Sequence, residues 1–202
     1  MMMLLSLATT CLLALSTVAS PAVPLEARVA KAPVKGCTPW MYGTLATNTS
    51  GTYYPFVLNK EQELAWNNQL RDFSLKVYYH KCLPNAGGNP NTTPGEHEGI
   101  LYVPAINKCL AVTNQKSTKP PYYVKALTCK NSTDPAQAWL FRWPEDKRYP
   151  AIQWVGKTDV EGTNPQGGCG VFGYKSHDKG VPYVAADKAI SLGCAQTTTP
   201  LR

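Results

Sequence analysis

The side chains able to do chemistry in this 202-residue chain are few and scattered. Its three histidines are His80, His97 and His177, and none has a metal-ligating neighbour at a spacing diagnostic of zinc. Glu96-His97-Glu98 sets two carboxylates beside one imidazole, but the triplet sits in a polar stretch and reads as a solvated charge cluster. Covalent catalysis would need a nucleophile with its base, and glycoside hydrolysis would need two carboxylates meeting in space. The spacing singles out neither arrangement. The expectation is a non-catalytic protein without metal or cofactor.

Seven cysteines occur, and setting aside Cys11 leaves Cys37, Cys82, Cys109, Cys129, Cys169 and Cys194. That even number, with no Cys-x-x-Cys pair, points to disulfides rather than to redox or zinc work. Three Asn-x-Ser/Thr sequons, at Asn48, Asn91 and Asn131, agree with glycosylation in an oxidising compartment. Residues 1–20 carry no charged side chain and combine an apolar run at 11–15 with small residues at 17–20, the pattern of a secretory signal peptide. The run is shorter than the roughly 20 residues of a membrane span, and no later segment is apolar enough for one. An extracellular protein is expected.

Lys and Arg number 20 against 13 Asp and Glu, a net charge of +7. The charges are dispersed, and the densest group, Glu145-Asp146-Lys147-Arg148, mixes both signs. Nucleic acid is therefore not an expected partner.

The elements that must position these residues are short. Residues 21–36 read as a flexible leader, 37–196 as the folded domain and 197–202 as a tail lacking the hydrophobic end of a lipid-anchor signal. Aromatic and β-branched runs recur at 41–47, 53–59, 64–67, 74–79, 100–103, 109–113, 122–127, 139–143, 151–155, 170–175, 181–185 and 189–192. These predict about twelve strands and an all-β class. Only 60–73 carries helical spacing, through Leu64, Leu70 and Phe73, and it is too short to be unambiguous. The Gly-, Pro- and Asn-rich stretch 83–99 predicts a surface loop presenting Asn91.

The pattern repeats. Tyr53-Tyr54 and Tyr122-Tyr123 each open a strand and are each followed by an indole, Trp66 and Trp139. Cys37 precedes Trp66 by 29 residues and Cys109 precedes Trp139 by 30. An alternative alignment sets Leu64-Ala65-Trp66 against Leu110-Ala111-Val112 and Cys82 against Cys129. A weaker third copy runs from Thr158-Asp159-Val160 through Val171-Phe172-Gly173-Tyr174. Three copies imply a pseudo-threefold fold.

Asn107-Lys108-Cys109-Leu110-Ala111-Val112, then Val124-Lys125-Ala126-Leu127-Thr128-Cys129, then Gln137-Ala138-Trp139 resembles one subdomain of the ricin B-chain lectin family. The resemblance covers about 35 residues and implies a β-trefoil with a Cys109–Cys129 disulfide, in which Trp139, Leu127 and Leu110 fill the barrel and its hairpin cap. Among the other four cysteines three pairing schemes remain. The adjacent ends of a trefoil make Cys37–Cys194 attractive, which would leave Cys82–Cys169.

In that family an Asp, a stacking aromatic ring and an Asn form each sugar site. The middle repeat has Ala111, Leu127 and Ala136 at those positions and keeps only Gln137. The first repeat has Tyr54 but no acid near Pro39, and its register is open, so no site is assigned there. In the last repeat Asp159 stands in an Asp-Val pair with Tyr174 fifteen residues later, which matches the family's carboxylate-to-ring spacing. Asp159 and Tyr174, with polar help from His177 and Asp178, form the candidate carbohydrate site. The same residues also have ordinary structural uses, Asp159 as a turn cap and Tyr174 as a strand aromatic. The resemblance implies a secreted lectin-like protein with glycans or glycoproteins as partners. The alternative is a trefoil scaffold that binds protein, such as a secreted-protease inhibitor, through the Pro-stiffened loop 115–121 with Lys116 and Lys119.

Overall fold

The computed structural model describes residues 33–49, 52–66, 74–83, 96–117, 122–143, 151–155, 172–174, 191–194 and 199–200. Within them the chain forms β1 (Cys37–Thr44), β2 (Ala46–Thr49), β3 (Thr52–Leu58), β4 (Leu64–Trp66), β5 (Lys76–Cys82), β6 (Glu96–Val103) and β7 (Lys108–Val112). It continues with β8 (Tyr122–Leu127), β9 (Trp139–Arg142), β10 (Ala151–Trp154), β11 (Phe172–Tyr174), β12 (Ser191–Cys194) and β13 (Thr199–Pro200). One 3-10 turn, Pro135–Gln137, is the only helical element among the described residues. The all-β class therefore holds, and every strand pairing is antiparallel.

One series of pairings runs β1–β5–β6–β9–β10–β13. Between its members the chain makes excursions: β2, β3 and β4 form a separate three-stranded sheet, β7 pairs with β8, and β11 pairs with β12. Further pairings of β7 with β6, β12 with β8 and β11 with β10 join the latter two excursions to the series in a ten-stranded sheet.

Period-two alternation explains which residues lie inside. In β8, Tyr122, Val124 and Ala126 are buried while Tyr123, Lys125 and Leu127 are not fully so, as expected of a strand with one covered face. The same face of the neighbouring strands supplies Val77, Tyr79, Leu101, Val103, Leu110, Val112, Trp139, Phe141, Ile152 and Trp154 to one apolar core. Each large side chain so enclosed contributes about 1.5–3 kcal/mol. The indoles bring a donor inside and must satisfy it: Trp139 Nε1–H donates to Leu110 O at 3.0 Å and Trp154 Nε1–H to Pro135 O at 2.8 Å.

A second, smaller cluster gathers Val34, Cys37, Cys82, Ile100, Cys109 and Ala138, with Tyr102 and Cys129 against it. It contains both disulfides described here, Cys37–Cys82 and Cys109–Cys129. The second is the pair that the resemblance implies. The first replaces the expected Cys37–Cys194 bridge, because β1 and β5 pair with Cys37 directly opposite Cys82. The ends of a pair of long-range strands, not the ends of the domain, set that bond.

Other expectations change in the same way. Glu96–Gly99 belongs to β6 rather than to a surface loop, since these residues pair with β9 and Gly99 also pairs with Lys81 of β5. Leu64–Trp66 keeps the strand expected at 64–67, and it is the helical alternative that drops out: Asn59 and Glu63 close a hairpin turn with Glu63 N–H donating to Asn59 Oδ1 at 2.8 Å, and Gln62 takes a left-handed φ of 63°. Trp66 and Trp139 are not equivalent, because β4 pairs with β3 whereas β9 lies between β6 and β10. Val34 is buried although it falls in 21–36, and β13 falls in 197–202. Leu127 is half-buried and lies outside the main core that holds Leu110 and Trp139. The stretch 181–185 lies outside the described residues.

Candidate functional site

The Gln-x-Trp segment comes first because its chemistry is fully visible. Asp134 starts the 3-10 turn by accepting from Ala136 N–H at 2.9 Å. The turn aims Gln137 inward, where its Oε1 accepts from Lys130 N–H at 3.0 Å and its Nε2 donates to Thr128 O at 2.9 Å. Gln137 thus ties down the backbone on both sides of Cys129, while Trp139 ties down β7. Both residues are committed to structure. Ala111 and Ala136, at the positions where the resembled family has its Asp and Asn, are buried as well.

Of the sequence-predicted site, Tyr174 is placed in β11, opposite Leu192 of β12. Asp159, His177 and Asp178 lie outside the described residues, as do Asn91 and Lys119. Asn48 is in β2 opposite Tyr53, Asn131 is exposed in the loop before the 3-10 turn, and Lys116 is exposed in the β7–β8 turn.

The described residues bring together aromatic side chains that the sequence reading did not single out. On one face of the β1–β5–β6 ladder, Tyr42 lies opposite Tyr78 and Tyr78 opposite Tyr102. The Tyr42 and Tyr78 rings are 4.5 Å apart, and His80 stands edge-on to Tyr78 and Tyr102 at 6.1 and 5.7 Å. Its ring is 2 % exposed, and Nδ1 meets no hydrogen-bond partner among the described residues.

Burial pushes the His80 imidazole down to about 4. The unfolded chain, with histidine near 6.5, takes up a proton first as the pH falls. Stability conferred by neutral His80 is complete above about pH 6.5 and is lost progressively as the pH drops toward 4. About 3 kcal/mol should vanish across that window, and His80→Phe, which has no proton to gain, should flatten that part of the profile. Denaturant midpoints measured between pH 4 and 7.5 check this; equal slopes in both proteins would contradict it.

A second aromatic group lies at the end of the ladder. The register of β1 shifts between Pro39 and Met41, so Trp40 is an extra residue that opposes nothing in β5. Its indole is 50 % exposed, packs edge-on to His97 at 5.0 Å and carries the Lys81 ammonium 4.9 Å from its centroid. Burial, and then the Lys81 charge, lower the His97 pKa. His97 lies opposite Phe141, whose ring is 6.3 Å from Trp143, itself 51 % exposed. On the opposite face of the same two strands Arg142 Nε donates to Glu96 Oε1 in an ion pair. Glu98 is fully buried, so the expected solvated triplet is split between an ion pair, an aromatic contact and the interior. The sequence signal for this group is slight: Trp143 closes the run Trp139-Leu140-Phe141-Arg142-Trp143, and Trp40 follows Pro39 in a strand.

No group of three or more His, Cys, Asp or Glu suited to a metal ion occurs among the described residues. No helix among them is long and apolar enough to cross a membrane. No protein-family model and no curated protein matches the chain.

Proposed function

We propose that this chain is a secreted, non-catalytic carbohydrate-binding protein built on a β-trefoil. The observation that carries the reading is that the three parts of the ricin B resemblance meet around one hairpin: the Cys109–Cys129 disulfide, Gln137 clamping both sides of Cys129, and Trp139 bonded to Leu110. Strand order supports it too. The pairs β1/β5, β6/β9 and β10/β13 each enclose an excursion, a three-stranded sheet in the first and a two-stranded pair in the others, and this order is compatible with the strand–hairpin–strand repeat of a trefoil. Disulfides and the exposed sequon at Asn131 suit an extracellular glycoprotein.

In this reading the last repeat binds the sugar. Asp159 accepts hydrogen bonds from ring hydroxyls, Tyr174 stacks on the apolar sugar face and His177 adds a polar contact. A glycan array with the intact protein and with Asp159→Ala and Tyr174→Ala tests it. Binding to a defined set of glycans, weakened about tenfold or more by either change, is the expected result, one tenfold step being about 1.4 kcal/mol. An array without a single bound glycan would overturn the reading. Inhibition across a panel of serine proteases, abolished by Lys116→Ala, would replace it with the scaffold alternative.

A further inference from the structure

We infer that the group around Trp40 is a second saccharide subsite, separate from the Asp159–Tyr174 position, that takes a pyranose ring; the inference rests on the carbohydrate-binding reading above. Three independent observations converge there. The first is the bulge. An extra residue in a paired strand frees one side chain from the alternation that governs its neighbours, and here that side chain is the Trp40 indole. The second is exposure. Trp40 and Trp143 are among the few large apolar side chains that the described residues leave half open, at 50 % and 51 %. Enclosing either would gain apolar contact that the fold forgoes.

The third observation is the polar chemistry around the indoles. Alternation accounts for its place: Lys81, His97 and Trp143 stand two residues beyond Tyr79, Gly99 and Phe141 respectively, on the core-facing side of β5, β6 and β9 but past the packed interior. A sugar ring has an apolar C–H face and a rim of hydroxyls. An indole accepts the face, and a neutral imidazole and an ammonium offer both donors and acceptors to the rim. The lowered pKa of His97 keeps its second nitrogen free of a proton near neutrality, so the ring can accept as well as donate.

The test uses the full-length protein, its glycan-array hits and two sets of variants. Trp40→Ala, with Trp40→Phe as the conservative partner, removes or keeps a stacking surface at an exposed position where folding should survive; denaturant unfolding verifies that it does. Asp159→Ala reports the other position. Soluble neutral oligosaccharides from the array, namely N-acetylglucosamine, galactose or xylose oligomers, are titrated while the indole N–H resonances and tryptophan fluorescence are followed. The expected result is that Trp40→Ala weakens binding about tenfold, that Trp40→Phe restores most of it, and that the Trp40 resonance shifts in Asp159→Ala as in the parent. Binding that survives Trp40→Ala but is lost in Asp159→Ala would overturn this subsite and leave the carbohydrate reading intact. Absence of binding to any glycan would overturn both. A Trp40 resonance that responds only to a protein partner would overturn the assignment of a pyranose ring.

Discussion

Replacing Gly99 by alanine is expected to destabilise the protein by about 3–5 kcal/mol, the range in which a small domain ceases to be reliably folded. A β-carbon at Gly99 would lie 2.0 Å from His80 O, and 2.9 Å from both His80 C and Tyr79 Cζ. The first two are backbone atoms of the strand that Gly99 pairs with, so no rotamer change relieves the clash; β5 and β6 must part. Tyr79 makes the situation stricter. Its ring occupies the space above Gly99, and its single hydroxyl proton is shared between His97 O and, at 3.1 Å, Trp139 O. Those bonds fix β6 to β9 through a side chain from β5. Ordinary overpacking costs about 1–3 kcal/mol, and the backbone contact pushes this case above it. Denaturant unfolding of Gly99→Ala measures the loss; a midpoint near that of the parent would show that the two strands tolerate separation there.

Removing the Cys37–Cys82 bridge is expected to cost about 4 kcal/mol on chain-entropy grounds. The bridge closes a span of 45 residues that includes the whole β2–β3–β4 sheet, compared with 20 residues for Cys109–Cys129. Both sulfurs lie in the smaller apolar cluster, with Cys37 and Cys82 buried. The informative variant is therefore the Cys37→Ala/Cys82→Ala double change, which leaves neither a free thiol nor a buried hydroxyl. Cys109→Ala/Cys129→Ala should cost less, about 3 kcal/mol, because the shorter span restricts the unfolded chain less. With these four cysteines paired, Cys169 and Cys194 remain as the third couple of the six. Peptide mapping of unreduced protein should recover three linked species, 37–82, 109–129 and 169–194. A peptide joining Cys37 to Cys194 would contradict the pairing of β1 with β5.

How much was legible beforehand depends on the range of the interaction that decides each residue. Tyr122–Leu127 and Lys108–Val112 were readable as strands because alternation and β-branched content act within a few residues. The Cys109–Cys129 pair was readable because both cysteines belong to a single local motif. Glu96-His97-Glu98 was misread for the opposite reason. Its polar composition suits a loop, but β9 approaches from more than forty residues away, draws Glu98 inside and leaves His97 beneath Trp40. The candidate site divides along the same line. Asp159 and Tyr174 were candidates from a family pattern and His177 from its place in the following turn, whereas Trp40 gains its place from a bulge that no composition or spacing announced.

The sequence alone therefore determined the all-β class, the disulfide chemistry and the structural purpose of Trp139, because these follow from side-chain type and short-range period; the clamp made by Gln137 came only from the structure. Tertiary structure decided the partners: Cys37 with Cys82, Tyr79 over Gly99, and Lys81 and His97 with Trp40. Antiparallel strands distant in sequence choose their register by what their buried faces can jointly fill, and that sum over many side chains is not written in any one segment.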